Sequence, residues 1–184
     1  MSTVIRLGPD DAERYARLRL RMLTLAPWAF GATPDDDEAL DVRHLTHMFA
    51  QGHHATFAIE AERSLEPNGQ IERDSEGLPE LVASASVVRA KSAKFAHRAR
   101  VWGVFVEPAF RGQGLGKALM HAVITHARSW RGVTYLDLGV SANSPEAQRL
   151  YEGLGFTVWG REPEATEHDG RRYDEVHMTL RLQP

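Results

Sequence analysis

The stretch of this 184-residue sequence richest in possible chemistry is Val104 to Lys117, VFVEPAFRGQGLGK. An apolar run ends in a bend containing Pro108. Arg111-Gly112-Gln113-Gly114-Leu115-Gly116 follows, and an amphipathic segment then begins. The first amides of a helix have no intrahelical acceptor, and the helix dipole puts partial positive charge beside them. Glycines at 112, 114 and 116 let the backbone approach a phosphate without a Cβ clash. Arg111 and Lys117 add fixed charge at the two ends. This arrangement can hold a phosphorylated ligand at a helix N-terminus.

Two familiar phosphate motifs do not fit. The dinucleotide pattern G-x-G-x-x-G, begun at Gly112 or Gly114, puts its third glycine on Lys117 or Leu119. A P-loop ending at Lys117 needs glycine at 111 and serine or threonine at 118, where Arg111 and Ala118 stand. The pattern that does fit is R-x-x-G-x-G. It resembles the acetyl-CoA pyrophosphate loop of the GNAT superfamily of N-acetyltransferases. A second stretch, NSPEAQRLYEGLGF, carries Asn143, Ala147, Tyr151 and Gly155-Phe156. It looks like that superfamily's second cofactor motif, one helix and one strand further on.

The resemblance implies a mechanism, and residues can be read against it. A neutral amine attacks the thioester of acetyl-CoA directly, with no covalent enzyme intermediate. Backbone groups of Phe105 and Val106 would hold the pantetheine arm. The amides from Gly112 to Lys117 would hold the pyrophosphate, and the Asn143 side chain would bond the pantetheine or nearby backbone. Tyr151 would protonate the leaving thiolate, because a phenol stays protonated near neutral pH yet donates to a developing anion. Its alternative is packing on the apolar helix side with Leu150 and Leu154. The general base is open: Glu107 ends the strand before the loop, Asp137 and His97 are further candidates, and deprotonation through water is preferred over all three. Acceptor contacts would come from Pro27, Trp28, Phe30, Asp35 to Glu38 and the loop after Trp159. Those acids would suit a cationic amine, although helix capping explains them equally well.

The elements that must position these residues follow from periodicity. Val4 to Leu7 reads as a strand, and Tyr15, Leu18, Met22 and Leu25 mark an amphipathic helix. A second helix is expected from about Pro34, with Leu40, Leu45, Met48 and Phe49 as its apolar side. The acids Asp35, Asp36, Asp37 and Glu38 would occupy its first turn. Strands follow at 55–61, 81–89 and 101–107, the last apolar enough to be buried on both faces. A helix to Trp130, a strand at 133–140, the helix opened by Ser144-Pro145, and strands at 156–159 and 173–182 complete the chain. Residues 161–172 read as a hairpin loop. The order is β-α-α-β-β-β-α-β-α-β-β. The expected fold is α/β, a mixed, mostly antiparallel sheet of about seven strands with about four helices, as the GNAT resemblance also implies. Residues 1–184 are expected to form one domain, with 62–79 a polar loop insertion.

Composition sets the outer limits. Forty-two per cent of residues are hydrophobic, 26% are charged and none is cysteine, which removes thiol nucleophiles, disulfides and zinc–thiolate sites. No apolar run approaches a membrane span, and the N-terminus lacks a signal-peptide pattern, so a cytoplasmic protein with no membrane partner is expected. Residues 89–136 hold nine basic residues against one acid, Glu107, which leaves +8 there and −11 elsewhere for a net −3. Such segregation points to an anionic partner. A phosphorylated cofactor answers it, and no aromatic platform or reading helix supports nucleic acid. Nine histidines raise a metal reading, but no carboxylates complete a site around the His44–His47 or His53–His54 pairs, and none is expected. The expected activity is acetyl transfer from acetyl-CoA to a primary amine of a small molecule or peptide. A non-catalytic CoA-binding module and a nucleic-acid-binding protein are the alternatives. The resemblance also implies a possible homodimer.

Overall fold

The computed structural model describes residues 3–61 and 79–182. The polar loop expected at 62–79 lies outside the described residues except for Pro79. Seven strands form one sheet in the order β1-β2-β3-β4-β5-β7-β6. They are β1 (Val4–Arg6), β2 (His54–Ala61), β3 (Glu80–Arg89), β4 (Arg98–Val106), β5 (Tyr135–Ser141), β6 (Thr157–His168) and β7 (Arg171–Arg181). The helices are α1 (Ala12–Leu25), α2 (Val42–Phe49), α3 (Leu115–Ser129) and α4 (Pro145–Gly153). Chain order matches the order read from periodicity. Every neighbouring pair is antiparallel except β4 and β5, which run parallel.

Both faces of the sheet are covered, so the middle strands alternate between two apolar layers. On one face, Tyr15, Leu18 and Met22 of α1 and Leu45 and Phe49 of α2 pack on Ala58, Leu81 and Phe105. On the other, Leu119, Met120, Val123 and Ala127 of α3 meet Phe57, Ile59, Val82 and Val101. Burying such a side chain completely is worth roughly 1.5–3 kcal/mol. Leu25, expected on the apolar side of α1, is exposed. Two buried hydrogen bonds lie between the layers: Thr56 and Ser86 share one of 2.8 Å, and Ser84 Oγ donates to the Gly103 carbonyl at 3.2 Å.

β4 carries a bulge that decides what faces the site. Its register against β3 shifts by one residue between Trp102 and Phe105. Gly103 sits there at φ +60°, and a β-carbon on it would stand 3.2 Å from the Tyr15 hydroxyl. The extra residue turns both Trp102 and Phe105 to the α1 face, where strict alternation would allow only one of them.

Two expectations are corrected. The second helix starts at Val42, where the Asp41 carboxylate accepts from the amides of Arg43 and His44. Asp35 and Asp36 precede it in a turn, and Asp37 caps a short 3-10 helix, Glu38–Leu40. Asp36 accepts from the Thr33 amide and hydroxyl, and Asp37 from the Ala39 amide. These local bonds compete with helix and fix a loop instead. Residues 161–168 are strand: β6 runs to His168 and turns at Asp169 and Gly170, φ 50° and 70°, a two-residue hairpin with both central residues left-handed. The segment is polar because β6 is the sheet edge and largely exposed.

Candidate active site

β4 and β5 pair only over Arg98–Arg100 and Tyr135–Asp137. Beyond that point no register joins them. β4 stays on β3 and β5 stays on β7, so the sheet opens at its centre. A cavity of about 500 Å³ occupies the opening. It runs from the loop at the start of α3, between the splayed strands and past α4, to the segment that follows α1.

The loop end has the character expected of an anion site. α3 begins at Leu115 with no side chain capping it, and Gly114, its N-cap, is left-handed at φ +78°. Nothing lies within 4 Å of where a β-carbon on Gly112 or Gly114 would stand, so the loop is open on its outer side. Gly116 differs, since a β-carbon there would meet Leu150 at 3.2 Å, which seats α3 closely on α4. Arg111 and Lys117 line the same end, and Arg111 Nε donates to the Val106 carbonyl at 3.1 Å. An uncapped helix start with basic flanks and room outside its glycines fits a diphosphate. The gap beyond it, walled by unpaired strand edges, fits an extended amide-containing arm.

Midway along the cavity stands Tyr151 of α4. It is buried and packs on Phe156 with ring centroids 5.9 Å apart. Burial raises its pKa well above the ordinary phenol value, so it stays protonated across any physiological pH. No hydrogen bond ties its hydroxyl to the described residues, and the ring lines the cavity.

The structure brings together most of the residues singled out from sequence. Phe105, Val106, Arg111, Gly112, Gly114, Leu115, Gly116, Lys117, Ala147 and Tyr151 all line the cavity, as do Trp28 and Phe30. Gln113 and Asn143 are exposed and lie off it, and the Asn143 amide donates to Ser141 Oγ. Glu107 is placed differently from the expectation. Its carboxylate is 3% exposed, sits on the α1 side below the strand end, and accepts from Arg21 Nε at 2.5 Å. It does not reach the cavity, which removes the geometric basis for its service as base. Asp137 is likewise engaged: Arg98 donates to both of its oxygens at 2.7 and 2.6 Å, and Thr179 adds a third bond at 2.8 Å. His97 is exposed, edge-on to Tyr135. Asp35 to Glu38 do not line the cavity.

Sequence reasoning missed Arg19, Arg100, Gly139 and Glu175, all of which do line it. Arg19 is 5% exposed; its Nε donates to Asp37 at 2.6 Å and its guanidinium lies over the Phe30 ring, 5.0 Å from the centroid. Glu175, on β7, reaches over Gly139 of β5. Its neighbours Glu162 and His177 hydrogen-bond each other at 3.0 Å, and the three offer donor atoms within 4.8 Å of one another. The available signal was the alternation of YDEVHMTL, which puts Glu175 and His177 on one strand face. It could not say which strand would lie beside them.

Comparison with known proteins agrees with this architecture. A model of the acetyltransferase (GNAT) family matches residues 24–156. The L-methionine sulfoximine/L-methionine sulfone acetyltransferase of Salmonella typhimurium is 35% identical over 79 residues, 43% of this chain and 46% of that protein. The mycothiol acetyltransferase of Thermobispora bispora is 49% identical over 59 residues, 32% of this chain and 20% of that protein. The matches therefore span less than half of these relatives' own length. A Salmonella typhimurium protein solved with acetyl-CoA superposes with a TM-score of 0.78 at 22% identity, covering 100% of this chain and 95% of that one. Arabidopsis thaliana NAA60, solved with a bisubstrate analogue, gives 0.69 at 18% identity, with 98% and 100% covered. A splayed seven-stranded sheet with a glycine-rich helix start beneath the gap defines an acyl-CoA-binding fold. The chain belongs to the acetyltransferase (GNAT) family.

Proposed function

We propose that this protein is an N-acetyltransferase that moves the acetyl group of acetyl-CoA directly to a primary amine of a small molecule or peptide. The observation that carries it is the continuity of one cavity from the uncapped start of α3, through the β4–β5 gap, to the protonated hydroxyl of Tyr151. Amides 112–117, with Arg111 and Lys117, hold the pyrophosphate. Edge groups of Phe105 and Val106 hold the pantetheine arm, and Ala147 leaves room beside it. This sets the thioester near Tyr151. The phenol gives its proton to sulfur as the carbon–sulfur bond breaks, which avoids releasing a bare thiolate into an apolar wall. No nucleophilic side chain is needed. The +8 balance of residues 89–136 serves a polyanionic donor, and this favours a cofactor site over nucleic acid.

The relatives support an amine acceptor, as their names include acetyltransferases of methionine sulfoximine and of a ribosomal protein alanine. Two expectations accompany the proposal, a cytoplasmic location from the sequence composition and a homodimer from the family resemblance; equilibrium sedimentation tests the second. Among the described residues no helix is long and apolar enough to cross a membrane. The decisive experiment is calorimetric titration with acetyl-CoA followed by free-thiol release over a panel of amines. Binding with amine-dependent release is expected. Binding without release on any amine leaves a CoA-binding module, and no binding overturns the proposal.

A further inference from the structure

We propose that the acceptor is a zwitterion, an amine that also bears a carboxylate and carries an apolar or aromatic side chain, held between Arg19 and Arg100 on one side of the cavity and Glu175 on the other. This rests on acetyl transfer at the same cavity and adds the chemistry of what is acetylated.

Strand alternation places these groups on one face. On β5, Leu136, Leu138 and Val140 are buried in the α3 layer, so Asp137, Gly139 and Ser141 face the α1 side. Cross-strand register puts Glu175 opposite Ser141 and His177 opposite Gly139, on that same side. On β4, Ala99 and Val101 belong to the α3 layer, which turns Arg100 and Trp102 to the α1 side. Arg19 comes down on this face from α1. Among the described residues, six charged side chains line the cavity: Arg19, Arg100, Arg111, Lys117, Glu146 and Glu175. Arg111 and Lys117 belong to the α3 loop, and Glu146 to the first turn of α4. The acceptor end is left with Arg100, with Glu175, and with Arg19, whose charge is paired with Asp37.

Each of the three is available. Arg19 is nearly buried and fixed by Asp37 through Nε, with Nη1 set on the Met22 sulfur at 3.8 Å. Nη2 makes no hydrogen bond among the described residues, and the Arg19 side chain lines the cavity. Arg100 and Glu175 form no ion pair or hydrogen bond among the described residues. Arg100, exposed and without a partner among the described residues, shares the cavity with the Arg19 guanidinium and offers a carboxylate site, because the planar fork matches two carboxylate oxygens. The Glu175 carboxylate across the gap matches an ammonium. The rings of Phe30, Trp28 and Trp102 between them give the side chain an apolar bed. A purely cationic acceptor such as a polyamine would leave Arg100 without a counter-charge and meet its repulsion, and so be disfavoured.

The proton balance is complete. The ammonium nitrogen gives up two protons in becoming an amide. One passes to Glu175 and on to solvent past Glu162 and His177. The lone pair then forms the carbon–nitrogen bond, and the carbon–sulfur bond breaks with its electrons on sulfur. Sulfur takes the Tyr151 proton, and the second nitrogen proton restores the phenol.

The test uses the full chain, saturating acetyl-CoA and matched acceptors: phenylalanine, phenylalaninamide and phenethylamine, with the corresponding leucine series. Thiol release should favour the acids over the amides and simple amines by about 30-fold or more in kcat/KM, the usual scale for losing a charged hydrogen-bonding partner. R100Q should raise KM for the acids and narrow the acid-to-amide ratio about tenfold, whereas a merely structural arginine would lower both members alike. Equal rates for acid and amide, or a ratio unmoved by R100Q, overturn the inference and leave acetyl transfer standing. No release with any amine removes acetyl transfer itself, and this inference with it.

Discussion

The carboxylate of Glu175 occupies the space that a side chain on Gly139 would need: a β-carbon there would lie 1.8 Å from Glu175 Oε1. The missing side chain on β5 therefore sets the position of the acid that, among the described residues, lines the acceptor end of the cavity. Gly139 is not in a left-handed conformation, so Gly139→Ala costs nothing in backbone geometry. It should leave the melting temperature unchanged or raise it slightly, since alanine is about 0.5–1 kcal/mol better than glycine within a strand. The substitution should nevertheless push Glu175 aside and lower kcat/KM by about tenfold or more. In a Glu175→Ala background the same change should have almost no further effect, because the two act as one unit. Additive losses in that double-mutant cycle would separate them.

Tyr151 is buried with no hydrogen-bond partner among the described residues, and its pKa is raised by burial alone. It therefore remains a proton donor to well above pH 9 and contributes no descending limb below that. Tyr151→Phe keeps the ring against Phe156 and removes only the donor. Turnover should fall about tenfold to a hundredfold, with acetyl-CoA affinity nearly unchanged. Calorimetric Kd and steady-state kcat on the same preparation check the two halves. Unaltered turnover would reduce Tyr151 to a packing residue.

Glu107 is structural in this geometry. Arg21 donates to it at 2.5 Å and also to the Leu81 carbonyl at 2.6 Å, so the pair ties α1 to the ends of β3 and β4. Glu107→Gln weakens a charge-assisted bond to a buried group, at a cost of about 2 kcal/mol. For a chain of this size that is roughly 4–8 °C in melting temperature. The pH dependence of kcat/KM should keep its ascending limb. Loss of that limb in a folded variant would return Glu107 to the chemistry.

The contrast between Glu107 and Glu175 shows what the sequence could yield. Local patterns were readable. Alternation marked each strand, three-and-four spacing marked the helices, and R-x-x-G-x-G with NSPEAQRLYEGLGF located the loop and Tyr151. Glu107 drew notice because it adjoins that loop in the chain, yet it lies past the end of β4, where its amide donates to the Val82 carbonyl and its carboxylate is taken by Arg21 of α1. Glu175 lies 24 residues beyond Tyr151 and becomes a site residue only because β7 inserts between β5 and β6, a long-range pairing with no local signal. The bulge at Gly103 was hidden in the same way, since an apolar run looks alike with or without one extra residue. The acids at 35–38 read as helix capping or acceptor contacts, and they became turn caps once Asp41 proved to start α2.

His54 gives a prediction about stability rather than turnover. It is 2% exposed and lies against the Phe49 and Trp102 rings, at 6.1 and 5.7 Å between centroids, with neither ring nitrogen hydrogen-bonded among the described residues. Burial chiefly, and then the neighbouring His53, Arg6 and His126, pull its pKa from 6.5 down to about 4. The folded state thus holds the neutral ring, while the unfolded chain takes up a proton near pH 6.5. Stability from this group is complete above the unfolded value and drains away as pH falls from about 6.5 to about 4. Between pH 7 and pH 4.5 the loss should be roughly 2–3 kcal/mol from this residue alone. Carboxylates also protonate toward the lower end of that range, so the readout is a difference. His54→Phe keeps a flat ring between Phe49 and Trp102 and removes the titration. The urea midpoint of the native protein should fall more steeply from pH 7 to pH 4.5 than that of His54→Phe. Parallel curves across the window would show that His54 titrates normally in the fold.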